Sequence, residues 1–427
     1  MSGIVGIFSK KKYKNVFPEL YSGLYAIQHR GQESMGISLL AHEKLSEIRG
    51  KGEIANNISL DNISTLAGNV GLGYVKYRFA EDDKSLMPMP WLFYPENSNF
   101  KNLIAIDGKF LDETSPEDVV NKLNSNNIDE IIQFINNLKG AYSIILVNGN
   151  RMIAIRDPYG IKNLCVGKKE DSYIVASESC VIESIDGQLC HELKPGEIYI
   201  VDDNGEESYF AKELSNSPCI FDFVYTARPD SSINGVSVYD ARIKMGEILY
   251  KEHPVDADIV VGSPDSGLIS AVGFSRASNI KYERAIVRNR YINRTFILPT
   301  NSMRKKGIRI KLNPIKHLIE GKRVVLVDDS IVRGNTIKRV IEILRESGAK
   351  EVHIRIASPQ VIKEETFTFD VPDKDHLISN NRSVEEVRKI IGADSLGFIS
   401  LEGLRQACGN KTYYENCFNG YNPLERI

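Results

Sequence analysis

The chain has 427 residues and a mass of 47.9 kDa, which is enough for two domains, each with its own core. Hydrophobic residues make up 42% and charged residues 26% of it, and the formal net charge of −2 indicates neither a nucleic-acid nor a membrane partner. No apolar run reaches the roughly 18 to 20 residues of a membrane helix. The N-terminal apolar run precedes its lysines, the reverse of a signal peptide, so we predict a cytoplasmic protein.

The first half of the chain is predicted to be rich in β-strands. Residues 143–147 and 152–156 have strand-like patterns and are separated by an Asn-Gly-Asn turn. A second turn at residues 157–160 leads to a short strand at 173–176. We predict a meander of antiparallel hairpins, interrupted by helices at about residues 17–29 and 116–124.

The second half of the chain alternates between strands and helices. Short β-branched runs at residues 259–261, 323–327 and 352–356 are separated by helical segments such as 240–252 and 336–347. This alternation predicts a parallel, doubly wound sheet. The change of character lies near residues 218–232, where we place a domain boundary.

The strongest functional signal is the run of residues 324–336, VVLVDDSIVRGNT. A buried strand ends at Asp328 and Asp329, and a loop containing Gly334 then begins a helix, at the sheet edge where such folds bind ligands. The loop N–H groups, the helix dipole and the Thr336 hydroxyl suit a phosphate, whereas the two carboxylates suit ribose hydroxyls. Acidic N-cap residues of an ordinary turn explain one aspartate, but not both together with the loop.

This run resembles the phosphoribosyl pyrophosphate (PRPP) signature of type I phosphoribosyltransferases. The chain also resembles the amidophosphoribosyltransferase family almost end to end, at residues 2–7, 28–34, 156–161, 192–197, 219–231, 264–267, 289–296, 311–314 and 391–396. The resemblance implies an α+β N-terminal-nucleophile hydrolase-like domain with αββα layers at residues 2–225, of the class II glutamine amidotransferase type. An α/β type I phosphoribosyltransferase domain with a parallel sheet follows at residues 226–427.

The resemblance also implies the PRPP-binding residues. Asp265, Ser266 and Gly267 would handle pyrophosphate and Mg²⁺, and Asp265, Asp328 and Asp329 are the candidate metal ligands. The residues themselves agree, since a Gly-containing turn with one carboxylate follows a strand, although an ordinary surface turn explains this segment equally well. The remaining expected PRPP contacts are Ser330, Val332, Arg333, Gly334, Asn335 and Thr336.

Residues 284–311 contain nine lysines or arginines and no acidic residue. A solvated basic face and a nucleic-acid patch are the alternatives, but aromatic residues are few here and a polyphosphate site is predicted nearby. The resemblance implies a loop that closes over PRPP and excludes water. We expect Arg288, Arg290 and Tyr291 to act there, with the arginines and Mg²⁺ stabilising the departing pyrophosphate.

The glutamine half departs from the family pattern. The family's nucleophile is an N-terminal cysteine, whereas removal of Met1 here would expose Ser2. Three further positions differ, so we predict that glutamine hydrolysis is lost. Lys76 occupies the position of the family's arginine that binds the glutamine carboxylate. Asp107, before Gly108, occupies the position of the asparagine of the oxyanion hole. Pro116 occupies the position of the aspartate that holds the glutamine amine.

Some family members carry an iron–sulfur cluster. Cys219 and Cys417 match two of its four ligands, whereas Glu365 and Tyr414 occupy the other two positions, so we expect no cluster. The six cysteines form no CxxC pair, and we predict reduced thiols rather than disulfides.

The sequence therefore predicts a phosphoribosyltransferase that uses ammonia, either free or from a partner protein, to form phosphoribosylamine. Three alternatives stay open: another amine as acceptor, a non-catalytic PRPP or nucleotide sensor, and a glutaminase that uses Ser2. The resemblance further implies a homo-oligomer, either a dimer or a tetramer, and inhibition by purine nucleotides.

Overall fold

The computed structural model describes residues 1–41, 44–59, 63–77, 88–94, 101–149, 151–289, 312–369, 371 and 374–426. Within these ranges, no helix is both long enough and apolar enough to cross a membrane.

Two antiparallel sheets form the first half of the molecule. The first contains, in spatial order, Gln188–Glu192, Cys165–Lys169, Ser172–Ala176, Ser2–Ser9, Val70–Lys76, Ser34–Ala41 and Lys44–Lys51. The second contains Glu206–Phe210, Glu197–Asp202, Arg151–Arg156, Gly140–Val147, Asn102–Phe110 and Trp91–Phe93. Apolar side chains of both sheets, such as Ile4, Leu72 and Ile144, share one core. The sheets therefore pack face to face.

Helices cover the outer faces of both sheets. Phe17–Ala26 and Ser179–Ser184 bury Leu24 and Val181 in a core with residues of the first sheet. Pro116–Leu123 and Ile128–Asn137 contribute to the core of the second sheet. These layers give the predicted αββα arrangement. A short helix, Ile54–Asn57, and a 3₁₀ turn, Gln28–Arg30, complete this half.

The predicted meander is wrong, although one of its hairpins is confirmed. Strands Gly140–Val147 and Arg151–Arg156 pair with Ser143 opposite Arg156, as the turn between them requires. Strand Ser172–Ala176 instead joins the other sheet, where it pairs with Ser2–Ser9. The turn at 157–160 redirects the chain, because the buried Asp157 carboxylate accepts the N–H groups of Tyr159, Ile161 and Lys162.

The second half contains the predicted parallel sheet. Its strands are, in spatial order, Ile259–Gly262, Arg323–Asp328, Glu351–Ile356 and Ser395–Phe398. Apolar cores lie on both of its faces, as expected for a doubly wound sheet. The helices are Val238–Glu252, Leu268–Ser278, Lys316–Ile319, Asn335–Glu346, Val384–Ile391, Leu401–Ala407 and Asn416–Asn419. Short antiparallel pairs join Ser232–Ile233 to Val236–Ser237 and Ile286–Arg288 to Leu312–Pro314.

The two halves meet along the segment that links them. A π-helical turn, Asp222–Thr226, buries Phe223 and Val224 in the core of the second half, where Ala141 and Ile161 of the first half also pack. The C-terminal region returns to the same place, since the Ile220 N–H donates to the Tyr414 carbonyl at 3.1 Å. The proposed boundary between residues 225 and 226 thus falls inside a packed junction and stays a prediction.

All six cysteines fall within the described residues, and all are free. Five of them are buried, at positions 165, 180, 219, 408 and 417. Cys190 is the exposed one, on the strand Gln188–Glu192 at the edge of the first sheet.

Candidate active site

Asp328 and Asp329 lie side by side at the carboxyl end of the strand Arg323–Asp328. Both are buried, with 7% of their surface exposed. The Asp329 carboxylate accepts hydrogen bonds from the hydroxyls of Ser266 and Ser330, and the Asp329 N–H donates to the Asp328 carboxylate at 3.0 Å. The predicted acidic pair therefore forms, and hydroxyl groups already contact it.

The Asp328 carboxyl is strongly affected by its surroundings. Burial, and then the neighbouring Asp329 carboxylate, raise the pKa of Asp328 well above its usual range. A protonated Asp328 can donate a hydrogen bond while Asp329 accepts others. The pair can thus bind two adjacent hydroxyls, one as donor and one as acceptor.

The loop after this pair forms one wall of a cavity. Residues 330–337 line it, including the predicted contacts Ser330, Val332, Arg333, Gly334, Asn335 and Thr336. Gly334 has a φ of +80° and directly precedes the helix Asn335–Glu346. A Cβ atom there would come within 2.3 Å of Ile378 Cδ1, so the loop conformation requires glycine. The helix N-terminus therefore lies at the cavity, where its N–H groups can bind a phosphate.

The second predicted loop lies beside the first. Strand Ile259–Gly262 pairs in parallel with Arg323–Asp328, and the Ser263 N–H donates to the Val327 carbonyl at 2.8 Å. Gly267 begins the helix Leu268–Ser278. Arg288 Nη1 contacts Asp265 Oδ2 at 3.1 Å, which brings a guanidinium to this loop. Arg290 and Tyr291 lie outside the described residues, as does the predicted closing loop from residue 290 to 311.

The three candidate metal ligands do not form a cage of their own. Among the described residues, no three histidine, cysteine, aspartate or glutamate side chains converge as metal ligands. Mg²⁺ often binds through one or two carboxylates and completes its shell with water and substrate phosphate oxygens. Asp265 and Asp329 fit this pattern, because both carboxylates lie beside the predicted pyrophosphate loop.

The cavity has a volume of about 660 Å³ and joins the two halves of the molecule. Its phosphate-binding wall comes from the second half, as do Ser263, Pro264 and Ser266. The rest of the lining, the aromatic wall, is mostly apolar and aromatic, and the first half contributes three of its residues. The aromatic wall consists of Phe221, Tyr225, Thr226, Phe369 and Val371, with Met1, His29 and Tyr77 from the first half.

Ser2 lies at the start of the first strand, next to this cavity wall. Its side chain is buried, and Oγ is 3.1 Å from the hydroxyl of Tyr74. In the register of the sheet, Ser2 is opposite Lys76. Arg30 Nε donates to the Ser2 carbonyl at 2.8 Å, and Arg30 Nη2 lies 3.5 Å from Asp107. Ser2, Lys76 and Asp107 are therefore close together, as predicted.

Asp107 is held between two buried cations. Lys162 Nζ is 3.1 Å from its Oδ1, and the Arg30 guanidinium contacts its Oδ2. Burial alone would raise the pKa of this carboxyl, but Lys162 and Arg30 outweigh burial and hold the pKa below its usual range. The position predicted to replace an oxyanion-hole donor thus carries an ionised acceptor.

The remaining two residues of the predicted glutamine pocket have different roles. Gly108 has a φ of +133°, and a Cβ atom there would lie 2.0 Å from the Ala141 carbonyl oxygen, so glycine is needed for this strand. Pro116 starts a helix whose N-terminus is capped by Ser115 and Asp118. It is not among the described residues that line the cavity, and its assignment to the pocket stays a prediction.

Glu178 joins the Ser2 region to the link between the halves. Its carboxylate contacts His29 Nε2 and Arg30 Nη1, each at 2.8 Å, and accepts the Arg228 N–H at 2.9 Å. Burial would raise the pKa of this carboxyl, but His29 and Arg30 hold it well below its usual range. These charges form a continuous buried network from Ser2 to residue 228.

The four positions matched to the iron–sulfur ligands do gather in space. Tyr414 donates to Glu365 Oε2 at 2.7 Å, and Cys219 bridges to Tyr414 through the backbone. Burial raises the pKa of both Cys219 and Cys417, which keeps them as neutral thiols. A cluster that requires four thiolates does not fit two thiols and a hydrogen-bonded Glu–Tyr pair.

The parallel sheet, the acidic strand tip and the adjoining loop define a phosphoribosyltransferase, joined to a glutamine amidotransferase-like domain. Family models agree: residues 241–360 match the phosphoribosyl transferase domain and residues 96–184 the glutamine amidotransferase domain. The amidophosphoribosyltransferase of Methanocaldococcus jannaschii is 37% identical across 100% of this chain and 98% of its own length. That of Bacillus subtilis is 36% identical, across 99% of this chain and 94% of its own.

A solved structure supports the same assignment. The glutamine PRPP amidotransferase of B. subtilis, complexed with ADP and GMP, matches with a TM-score of 0.90 and 35% identity, covering 99% of this chain and 97% of that one. The chain therefore belongs to the amidophosphoribosyltransferase family. The predicted fold class is confirmed.

Several residues of the site were not predicted. Lys162 directly follows a stretch used for the resemblance, but nothing in the sequence connects it to Asp107. His29 and Phe221 lie within resembling stretches without an assigned role, and Phe369 and Val371 give no sequence signal at all. His29, Phe221, Phe369 and Val371 line the cavity, and Lys162 contacts the residue before Phe369, so all five depend on contacts between distant parts of the chain.

Proposed function

We propose that this protein transfers the ribosyl phosphate of PRPP to ammonia and releases pyrophosphate, forming 5-phosphoribosylamine, and that it no longer hydrolyses glutamine. One observation carries the first part: the Asp328–Asp329 pair and the Gly334 loop line the same cavity. Groups suited to bind hydroxyls and groups suited to bind a phosphate therefore line one cavity, as binding of a ribose 5-phosphate requires.

The acidic residues, the backbone N–H groups and the basic residues would bind different parts of PRPP. Asp328 and Asp329 would bind the two ribose hydroxyls, and the N–H groups from residue 330 to 336 would bind the 5-phosphate. The bond from C1 to pyrophosphate breaks, so negative charge grows on the leaving group beside Arg288. Mg²⁺, when bound at Asp265 and Asp329 together with pyrophosphate oxygens, would neutralise part of that charge.

The loss of glutamine hydrolysis rests on Asp107. A tetrahedral intermediate carries a negative oxygen that needs hydrogen-bond donors. The Asp107 carboxylate is an acceptor, and its pKa is held low by Lys162 and Arg30, so it would repel this oxygen. Lys76 adds to the defect because an ammonium group does not bind a carboxylate in the bidentate manner of arginine.

One assay tests both parts. Pyrophosphate release from PRPP and Mg²⁺ is measured with ammonium, with glutamine, and with neither. We expect release with ammonium alone. Glutamine-driven release would show that Ser2 is an active nucleophile, whereas tight PRPP binding without turnover under any condition would indicate a sensor or a different amine acceptor.

Nucleotide regulation is part of the proposal. The B. subtilis relative is complexed with ADP and GMP. We expect purine nucleotides to inhibit this protein, because a nucleoside monophosphate carries the same ribose 5-phosphate that the site is proposed to bind. Competition between GMP and PRPP in the ammonium assay would test this expectation.

A further inference from the structure

Lys162 connects the degenerate glutamine site to the second half of the molecule. Its side chain is buried, with 3% of the residue exposed. Its ammonium group is 3.1 Å from Asp107 Oδ1 and donates to the Thr368 carbonyl at 3.3 Å. Thr368 directly precedes Phe369, which lines the cavity.

Asn163 makes a second connection across the same junction. Its Nδ2 donates to Asp222 Oδ2 at 3.1 Å. The Asp222 carboxylate also accepts from the Thr226 hydroxyl, and Thr226 lines the cavity. Asn163, Asp222 and Thr226 are all buried, so water cannot readily replace these hydrogen bonds.

Both connections end on the same wall. Thr226 and Phe369 both belong to the aromatic wall of the cavity that the phosphate-binding loop also lines. Phe221 stacks on Phe369 with ring centroids 3.8 Å apart, which links the two contact points into one surface. A nucleophile that displaces pyrophosphate must reach the sugar inside this cavity, which the aromatic wall and the phosphate-binding loop both line.

We propose that Lys162 and Asn163 are positioning residues that hold this wall at the distance needed for the amine nucleophile to reach PRPP. The proposal rests on the proposed transferase function and extends it. The charged groups near Ser2 then contribute to the transferase reaction, because Asp107 holds the Lys162 side chain in place. Lys162 in turn holds the backbone beside Phe369.

Two substitutions separate the connections. Lys162→Met removes the first, and Asn163→Leu removes the second together with the hydrogen bond that Asn163 Oδ1 accepts from Arg156 at 3.2 Å. The readouts are the KM for ammonium, kcat, and the Kd for PRPP by calorimetry without amine. We expect the KM for ammonium to rise about tenfold in each variant, because the free energy of one buried hydrogen bond corresponds to about that factor. The Kd for PRPP should stay unchanged.

Lys162→Met leaves Asp107 paired with Arg30 alone and could reduce folding. The double variant Asp107→Asn/Lys162→Met removes both charges at once, and Asn163→Leu changes none. Arg151→Met is the matched control, since Arg151 is a partly buried cation of the first half that binds the Leu123 carbonyl, away from the cavity lining. A substitution that only destabilises the fold would reduce the fraction of folded enzyme and so the apparent kcat. It would leave the KM for ammonium unchanged.

An unchanged KM for ammonium in all folded variants would overturn the proposal. An equal rise in the Arg151→Met control would also overturn it, because the effect would then follow from general destabilisation. A wild-type protein that binds PRPP but shows no ammonium-dependent turnover would instead contradict the proposed function itself.

Discussion

Asp328 and Asp329 occupy neighbouring positions but have different surroundings. Asp328 has a raised pKa because it is buried beside another carboxylate, whereas Asp329 accepts two serine hydroxyls. The sequence predicted both residues, because the end of a buried strand followed by a glycine loop has few alternatives. It did not predict the raised pKa of Asp328, which depends on burial, or the contact of Asp329 with Ser266, 63 residues away.

Replacing both aspartates should abolish the transferase reaction. We expect Asp328→Asn/Asp329→Asn to lower ammonium-dependent pyrophosphate release at least about 100-fold, because the sugar hydroxyls lose their carboxyl partners. The matched control is Asp256→Asn/Asp258→Asn, a carboxylate pair that binds Arg323 at the other end of the same strand. Activity in the first double variant equal to that of the control would refute the site assignment.

Asp107 is the residue on which the proposed loss of glutamine hydrolysis rests. The sequence identified the substitution but not its consequence, since Lys162 lies 55 residues away and is brought to Asp107 only by the fold. Once paired, the carboxylate remains charged, and the site is occupied by an ion pair.

Restoring a cysteine nucleophile should therefore not restore glutamine use. Ser2→Cys alone is expected to release no glutamate from glutamine, because Asp107 still repels the oxyanion. A further variant, Ser2→Cys/Lys76→Arg/Asp107→Asn, tests whether the pocket is otherwise intact. Glutamate release is measured in the presence of PRPP, and release by the single variant would show that Asp107 does not block the reaction.

The elements of the second half follow from local patterns. The predicted strand at 323–327 and helix at 336–347 match Arg323–Asp328 and Asn335–Glu346 to within one residue at each end. Parallel strands are buried on both faces, so their apolar runs are continuous and easy to recognise. The first half was harder to predict, because its strand Ser172–Ala176 pairs with Ser2–Ser9, more than 160 residues away.

The loop before helix Asn335–Glu346 depends on one glycine. We expect Gly334→Ala to cost about 1–2 kcal/mol of stability from its left-handed conformation and also to weaken PRPP binding, because the loop must shift away from Ile378. Gly348→Ala is the control. Gly348 also has a positive φ, +91°, but it follows the other end of the same helix and is not among the residues that line the cavity. Both variants should lose stability, but only Gly334→Ala should raise the PRPP Kd in calorimetry. Equal Kd values would show that the loop shape is not needed for phosphate binding.

At the scale of the whole molecule, buried charges join the two halves. Glu178 contacts His29 and Arg30 on one side and the Arg228 N–H on the other, while Lys162 reaches Thr368. Hydrophobic patterning gives no indication of such a junction, because its members are polar residues from separate segments. It was the least predictable part of the structure.

This junction should make the protein sensitive to acid. The folded pKa values of Asp107 and Glu178 are lower than their unfolded values of about 4, so their stabilising effect is fully present above that pH. It is lost as pH falls through the folded values. We expect the free energy of unfolding, measured with urea, to fall below about pH 4, and to fall less steeply in Asp107→Asn/Lys162→Met. Arg151→Met, which alters no carboxylate, should keep the wild-type slope, and identical slopes in all three proteins would contradict this account.

The distribution of the cysteines has a practical consequence. Cys190 lies on an edge strand and is accessible to solvent, whereas the other five thiols are enclosed by the folded chain. A maleimide dye should therefore attach to the native protein at one place without any mutation. Attachment of further dye molecules would report opening of the interior, so the wild-type chain carries its own probe of local unfolding.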